Sequence, residues 1–337
     1  MKLLGRSPRV SNSPGAPIFA SIIPQTRHGC VPTPIPGCGR LRSVHARSAL
    51  FDLYGDHLRP RGGQAPVAAL VRLLAPLGVT SPAVRTAISR MVRQGWLRPV
   101  RLESGPGYGL TGQAKVRLDD AAARIYRTRR TGWSGSWDLL VLQPSASRSA
   151  RDRIRSGLGF LGYAPLTDST WISPYHSTEA ESLLADEGVE HARFAAADDD
   201  PRVRAALAWD LDELGTSYAR WREEAGSIVS RPDLPAGPVG SADERAFAVR
   251  SLLVHEWRKF LFSDPGLPAE LLPPDWPGDA AACFFAEEAR RLMPAAARHV
   301  DLCLADSRRD PRDPRDLPSA LPALSDPPTA QHQDSTT

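Results

Sequence analysis

Apolar side chains recur at helical spacing three times between residues 46 and 94, and each repeat predicts one helix. The predicted helices cover residues 48–58, 66–77 and 82–94. Proline and glycine residues separate them, because neither residue type continues a helix cheaply. The third helix also has a typical start, a hydroxyl-bearing residue followed by Pro82.

The third predicted helix has one apolar and one cationic face. The apolar face is formed by Val84, Ala87, Ile88, Met91 and Val92. The opposite face carries Arg85, Thr86, Ser89, Arg90 and Arg93. Guanidinium and hydroxyl groups in this arrangement suit contacts with the phosphates and base edges of DNA. An ordinary surface helix with a basic exposed face is the alternative interpretation.

A β-hairpin is predicted directly after this helix. Residues 96–102 form its first strand, residues 103–107 its turn and residues 108–111 the start of its returning strand. Three helices followed by a basic hairpin are typical of a winged helix-turn-helix. We therefore predict that residues 46–112 bind DNA, and the predicted contacts are Arg59, Arg61, Ser81, Arg85, Thr86, Ser89, Arg90, Arg93, Arg98, Arg101 and Tyr108.

The pattern changes after a predicted linker helix in residues 113–133. Short strands and helices alternate over residues 134–200, which is typical of an α+β sandwich. Long amphipathic helices, predicted at 207–225 and 245–262, then indicate an all-α domain over residues 201–305. The predicted fold class is therefore α+β and multidomain.

Both ends of the chain are predicted to be disordered. Residues 1–45 contain seven prolines and no amphipathic period. A start codon assigned too early, with translation beginning near Val44, is a further interpretation of this extension. Residues 306–337 mix aspartate, arginine, proline and serine, and form the second predicted tail.

Composition narrows the class of protein. The chain has 337 residues, of which 42% are hydrophobic and 24% charged, as in ordinary globular proteins. It contains no run of about 18 uninterrupted apolar residues, so we expect a cytoplasmic protein without a membrane partner. The four cysteines form no C-x-x-C pair, and we expect neither a metal site nor a cofactor.

The net charge of +4 is unevenly distributed. Residues 46–133 contain 15 basic and 5 acidic side chains, whereas residues 134–337 contain 21 basic and 33 acidic side chains. A basic module attached to an acidic body is typical of a nucleic-acid-binding protein with a separate regulatory part. An arginine-rich solvated surface is the alternative.

Several motifs resemble the phenylacetate-degradation repressor family (PaaX). In the basic part they are LFDLYGD at 50–56, RPRGG at 59–63, LLAPLG at 73–78, VRTA at 84–87 and GWL at 95–97. In the acidic part they are LLVHEWRKF at 252–260, DPGLP at 264–268 and LLPPDWPG at 271–278. The resemblance covers about residues 47–305, with the motifs in matching order.

The resemblance implies a bacterial repressor with an N-terminal winged helix-turn-helix, a ferredoxin-like α+β middle domain and an all-α C-terminal domain. It also implies an acyl-CoA effector, such as phenylacetyl-CoA. The family's middle domain resembles a small dimeric nuclease of CRISPR adaptation systems, in which a metal-binding aspartate ends the first strand. Here Gln143 and Pro144 occupy that end and Asp138 lies too early, so dimerisation is the favoured role.

An acyl-CoA carries several phosphate charges, so an acidic body needs a local basic site to bind it. The densest cationic cluster there is formed by Arg250, His255, Arg258 and Lys259. Together with Trp257 and Trp276, these residues are the predicted effector contacts. A solvated helix face with a half-buried histidine is the alternative interpretation.

We therefore predict a homodimeric repressor that binds palindromic double-stranded operator DNA and is released from it by an acyl-CoA. The alternative class is an enzyme, either a metal-dependent nuclease on the middle domain or a CoA-thioester hydrolase. The sequence contains no Gly-x-Ser-x-Gly, no His-Glu-x-x-His and no paired carboxylates at the expected strand end.

Overall fold

The computed structural model describes residues 44–126, 132–144, 147–230 and 241–306, apart from the side chains of residues 120, 123 and 124. Both predicted tails lie outside the described residues, except for Val44, His45 and Asp306. The described chain is a mixed α+β structure of helices and two small antiparallel sheets.

Three helices form the first unit, as the apolar spacing predicts. They are α1 (Ala46–Leu53), α2 (Val67–Leu74) and α3 (Ser81–Arg93). Helix α1 continues through a π-helical turn (Tyr54–Leu58) and a 3-10 turn (Arg59–Arg61). The chain then reverses at Gly62 and Gly63, both with positive φ, a conformation that glycine adopts without steric cost.

A three-stranded antiparallel sheet completes this unit. Its strands are β1 (Gln64–Pro66), β2 (Leu97–Leu102) and β3 (Gly105–Leu110), in the order β1-β3-β2. Strands β2 and β3 form the predicted hairpin, with Leu97 opposite Leu110. Strand β1 was not predicted, because three residues are too few for an alternating pattern to be visible.

The middle unit has the strand connection of a ferredoxin-like fold. Helix α4 (Gly112–Ile125) leads into it. Its elements are β4 (Trp137–Leu142), α5 (Arg148–Phe160), β5 (Ala164–Pro165), β6 (Thr170–Ser173), α6 (Thr178–Asp186) and β7 (His191–Ala196). The sheet order β5-β6-β4-β7 is antiparallel throughout, which defines the β-α-β-β-α-β arrangement.

All elements described beyond this sheet are helical. They are α7 (Pro201–Ala208), α8 (Leu211–Ser230), α9 (Ala242–Trp257) and α10 (Pro277–Asp306), with 3-10 turns at Arg258–Phe262 and Ala269–Leu271. The single helix predicted at 207–225 is therefore wrong at its start. The chain breaks at Trp209 and Asp210, where the Asp210 side chain accepts a hydrogen bond from the Glu213 amide and starts α8.

The helices beyond the middle sheet pack against both the N-terminal unit and the middle unit. Trp137 and Ile172 of the middle sheet share one hydrophobic core with helices α8, α9 and α10. A second core joins α1, α2 and α3 to Phe247 of α9 and Val300 of α10. The N-terminal and C-terminal helices therefore have a common interior rather than separate ones.

Among the described residues, no single helix is long and apolar enough to cross a membrane. Residues 67–77 and 81–93 are together long and apolar enough, but there is a bend of 120° between the two segments.

Candidate nucleic-acid interface

Helix α3 has the two faces that the sequence predicts. Its buried side chains are Val84, Ala87, Ile88 and Met91, and they belong to the core shared with α1 and α2. Thr86, Ser89, Arg90 and Arg93 are exposed, and Arg85 and Val92 are half-buried. Because the buried residues recur every three to four positions, the exposed cations form one continuous surface.

Hydrogen bonds order the first turns of this exposed surface. The Arg85 Nε donates to the Ser81 Oγ at 3.3 Å, which holds the guanidinium along the helix. The Thr86 hydroxyl donates to the Pro82 carbonyl oxygen at 2.9 Å. The Thr86 oxygen is left with acceptor capacity.

The hairpin places its two predicted arginines on opposite faces. Arg98 and Arg101 are both exposed, but they lie three positions apart on β2, and side chains alternate along a strand. Arg101 shares its face with Leu97, which is buried in the α3 core. Tyr108 is half-buried against the same core, and its carbonyl oxygen accepts a hydrogen bond from the Tyr54 hydroxyl at 2.8 Å.

The structure places Arg59 and Arg61 away from α3, in contacts with other helices. The Arg59 Nη1 lies 2.6 Å from Asp119 of α4. The Arg61 Nε lies 2.7 Å from Asp301 of α10, and its Nη1 donates to the His57 carbonyl oxygen at 2.8 Å. Both guanidinium groups therefore join the N-terminal unit to its neighbours.

The cluster predicted to bind an effector is divided by the fold. Arg250 is 2% exposed, and its Nε and Nη2 donate to the Asp56 carboxylate at 2.8 and 2.7 Å. A buried guanidinium in this position is inaccessible to a phosphate. Burial therefore separates Arg250 from the exposed Lys259, because α9 and the 3-10 turn that follows it have a buried and an exposed side.

His255 and Arg258 both face Asp52 of α1. The His255 Nδ1 lies 2.7 Å from one Asp52 oxygen, and the Arg258 Nε lies 2.5 Å from the other. Lys259, whose side chain is 52% exposed, pairs with Glu256 on its own helix face. Of the four predicted cations, Lys259 is the one most exposed to solvent.

The two predicted tryptophans pack inside the helical unit. Trp257 stacks on Phe285 with ring centroids 4.8 Å apart, and its Nε1 donates to the Ile125 carbonyl oxygen at 3.0 Å. Trp276 is buried beside Tyr218 and borders a surface groove of about 480 Å³. Asp275 and Asp279 also line this groove, and their carboxylates would repel a phosphate.

Asp138 of the middle sheet is held by side chains of the same unit. Asp138 is buried on β4, where it accepts a hydrogen bond from the Tyr163 hydroxyl at 2.6 Å and pairs with Arg193 at 2.5 Å. Burial and this carboxylate raise the pKa of Tyr163. In the part of the chain that the structure describes, no group of three His, Cys, Asp or Glu residues is arranged to hold a metal ion.

Sequence reasoning missed the acidic partners of these cations. Asp52 and Asp56 lie one helical turn apart and are the only acidic residues between positions 46 and 102 of the sequence. Two carboxylates on one face within a cationic segment are a signal that could have identified them. The Tyr126 hydroxyl, which donates to Asp56, carried no such signal.

Family models match three consecutive parts of the chain. The model described as "PaaX-like protein" matches residues 45–114. "PaaX protein central Cas2-like domain" matches residues 130–208, and "PaaX-like protein C-terminal domain" matches residues 209–302.

Individual proteins give the same result. The chain is 30% identical over 266 residues to a transcriptional repressor PaaX of Escherichia coli (strain K12), with 76% of this chain and 83% of that protein covered. A solved structure of an uncharacterized protein from Mycobacterium tuberculosis has a TM-score of 0.54 and 24% identity, and covers 77% of this chain and 98% of that one. The second similarity shows a common fold.

Proposed function

Because this chain belongs to the PaaX-like protein family, we propose that it is a transcriptional repressor of phenylacetate catabolism that binds operator DNA through its N-terminal unit. In this proposal α1, α2, α3 and the β2–β3 hairpin act as a winged helix-turn-helix. Helix α3 enters the major groove, and the hairpin contacts the neighbouring backbone.

The observation that carries the proposal is the exposed face of α3. The helix packs on α1, α2 and β2 through its apolar side, which leaves Thr86, Ser89, Arg90 and Arg93 exposed. Arginine is the side chain that most often reads guanine, since its fork of N–H groups matches the guanine O6 and N7 acceptors. Ser81, Arg85 and Tyr108 complete the proposed contacts near either end of this surface.

We infer that two copies act together on a palindromic operator. The middle sheet supports this inference, because its edge strand β7 is largely exposed and carries Phe194 with 53% of its surface accessible. An exposed apolar edge strand is a site at which a second chain pairs. A two-fold dimer requires half-sites separated by about one or more turns of DNA.

An acyl-CoA such as phenylacetyl-CoA is the proposed effector, acting on the helical C-terminal part. Lys259 is the most exposed of the four predicted cations there, and Trp276 borders the surface groove. Release of DNA requires that this ligand binds the DNA-incompetent arrangement more tightly than the DNA-bound one.

The test is selection of bound duplexes from a random pool, followed by affinity measurements on the selected sequence. Arg90→Ala should weaken binding to that sequence by about 1–3 kcal/mol, because a base-reading contact is lost. Arg155→Ala replaces an exposed arginine on α5 of the middle domain and should leave the affinity unchanged. Phenylacetyl-CoA should reduce the affinity of the unaltered protein.

Other results would contradict the proposal. If the chain selects no sequence, or if Arg90→Ala binds as well as the original, α3 is not the reading helix. The same reactions supplied with Mg²⁺ or Mn²⁺ separate the enzyme hypothesis from the repressor, since shifted intact DNA supports the repressor and cleaved DNA supports a nuclease.

A further inference from the structure

A buried ionic network joins the proposed DNA-binding unit to the helical C-terminal part. At its centre, the Arg250 guanidinium of α9 makes a two-pronged contact with Asp56. The Tyr126 hydroxyl at the end of α4 also donates to Asp56, and Arg250 donates to the Ala289 carbonyl oxygen of α10. Four segments distant in sequence therefore meet at one guanidinium.

The Asp56 carboxylate is charged in this network. Its burial would raise its pKa, but the neighbouring His57 and Arg250, with hydrogen bonds from Arg250 and Tyr126, hold the pKa below its usual value. A charged pair out of water is stable only when its geometry is kept, because either partner alone would be costly to bury. The contact therefore resists sliding between the two units.

A second contact lies one helical turn away. Asp52 of α1 faces His255 of α9 and Arg258 of the following 3-10 turn, at 2.7 and 2.5 Å. All three side chains retain slight solvent exposure, between 8% and 17%. Removal of one of these charges therefore costs less than removal of Asp56 or Arg250, which makes this contact the better one to alter.

Other contacts across the same boundary also hold the N-terminal unit against the C-terminal helices. Arg61 pairs with Asp301, and the His57 ring packs on Phe247 with centroids 5.1 Å apart. In contrast, the exposed face of α3 lies on the side of the unit away from its core. The joined arrangement therefore leaves the proposed reading surface accessible.

We propose that Asp52 and Asp56 form a latch with Arg250, His255 and Arg258 that holds the DNA-binding unit in its DNA-competent orientation and transmits the ligand state of the C-terminal part to it. These five are positioning residues, which touch neither DNA nor ligand. The proposal rests on the proposed repressor function. With the latch closed, the two DNA-binding units of a dimer have a fixed spacing. Without it, the spacing varies and the DNA affinity depends less on a ligand bound elsewhere.

The test compares Asp52→Asn with the charge-swapped pair Asp52→Arg and Arg258→Asp. The first readout is the ratio of the DNA dissociation constants with and without phenylacetyl-CoA. We expect this ratio to fall about threefold to tenfold in Asp52→Asn. It should recover in part in the swapped pair, which restores the ion pair with position 258 but not the contact with His255. The matched control is Asp243→Asn, which breaks the Asp243–Arg298 pair inside the C-terminal part and should leave the ratio unchanged.

The second readout needs neither DNA nor ligand. Hydrogen–deuterium exchange of residues 46–61 should become about threefold or more faster in Asp52→Asn and return towards the original rate in the swapped pair. His255→Gln reaches the same contact from α9 and replaces Asp52→Asn if that variant does not fold.

The outcomes separate the latch from the proposed function. If the protein binds and releases DNA, but Asp52→Asn keeps the original ratio and exchange rates, the latch alone is overturned. A protein that binds no DNA overturns the repressor proposal, and the exchange rates then decide the latch. Faster exchange that the swapped pair reverses supports it, and unchanged exchange overturns it.

Discussion

The imidazole of His57 lies at the boundary between the N-terminal and C-terminal helices. It is 1% exposed, packs on Phe247 and has its Nε2 3.2 Å from Asp56. Burial lowers the pKa of His57 to about 4, partly offset by Asp56, while Arg250 and Arg61 lower it further. The ring is therefore neutral at pH 7.

This depressed pKa predicts a loss of stability in mild acid. Between pH 6.5 and 4 the unfolded chain binds a proton at His57 that the folded chain does not, so the free energy of unfolding falls as the pH falls. From pH 7.5 to 5 the loss should be about 2 kcal/mol, measured by denaturant unfolding.

His57→Gln removes the titrating group and should flatten this pH dependence. His299, whose pKa is also lowered by burial, remains and retains part of the slope. Equal slopes in the original and in His57→Gln would show that His57 does not carry the effect.

At the scale of elements, the pairing of β1 with β3 depends on a close approach between their backbones. A Cβ atom added at Gly107 would lie 2.7 Å from the Ala65 carbonyl oxygen of β1 and 2.7 Å from the Leu102 Cδ1. A backbone oxygen held in a sheet cannot move aside as a flexible side chain can. Glycine at this position therefore allows β1 to pair with β3.

Gly107→Ala should consequently destabilise the N-terminal unit by about 1–3 kcal/mol, the usual cost of overpacking. Thermal unfolding followed by circular dichroism measures the change. Gly112→Ala is the matched control, because a Cβ there meets no atom within 4 Å and the residue opens helix α4. A stability equal to that of the original chain would mean that β1 can shift without cost.

At the scale of the whole molecule, charge is separated between parts of the chain that the fold brings into contact. The acidic residues that face the cationic N-terminal unit, such as Asp301, are used in ion pairs with it. The exposed arginines of α3 and β2 lie on the remaining surface.

The salt dependence of DNA binding should report which hairpin arginine faces the duplex. Arg101 lies on the face of β2 turned towards α3, so Arg101→Ala should lower the slope of log affinity against log salt concentration by about one. Arg98 is also a predicted DNA contact, but it lies on the opposite face of β2, so Arg98→Ala should keep the original slope. Equal slopes for both variants would show that the hairpin does not contact phosphates in this way.

The sequence by itself determined the local structure of this protein. The burial of Val84, Ile88 and Met91, and the exposure of Arg90 on the other side, follow from helical periodicity. The alternation of short strands and helices over residues 134–200 was also visible, since strand patterns and turn residues act between close neighbours. Family motifs then supplied the order of the domains.

Only the tertiary structure decided which cations are available to a ligand. Arg250 and Asp56 are 194 positions apart, and no periodic pattern relates residues at that separation. A buried guanidinium needs a carboxylate partner, and the packing of α9 on α1 supplies one. The same packing places Arg250, His255 and Arg258, three of the predicted effector contacts, at the boundary with the N-terminal helices, because burial depends on contacts between elements and not on the composition of one helix.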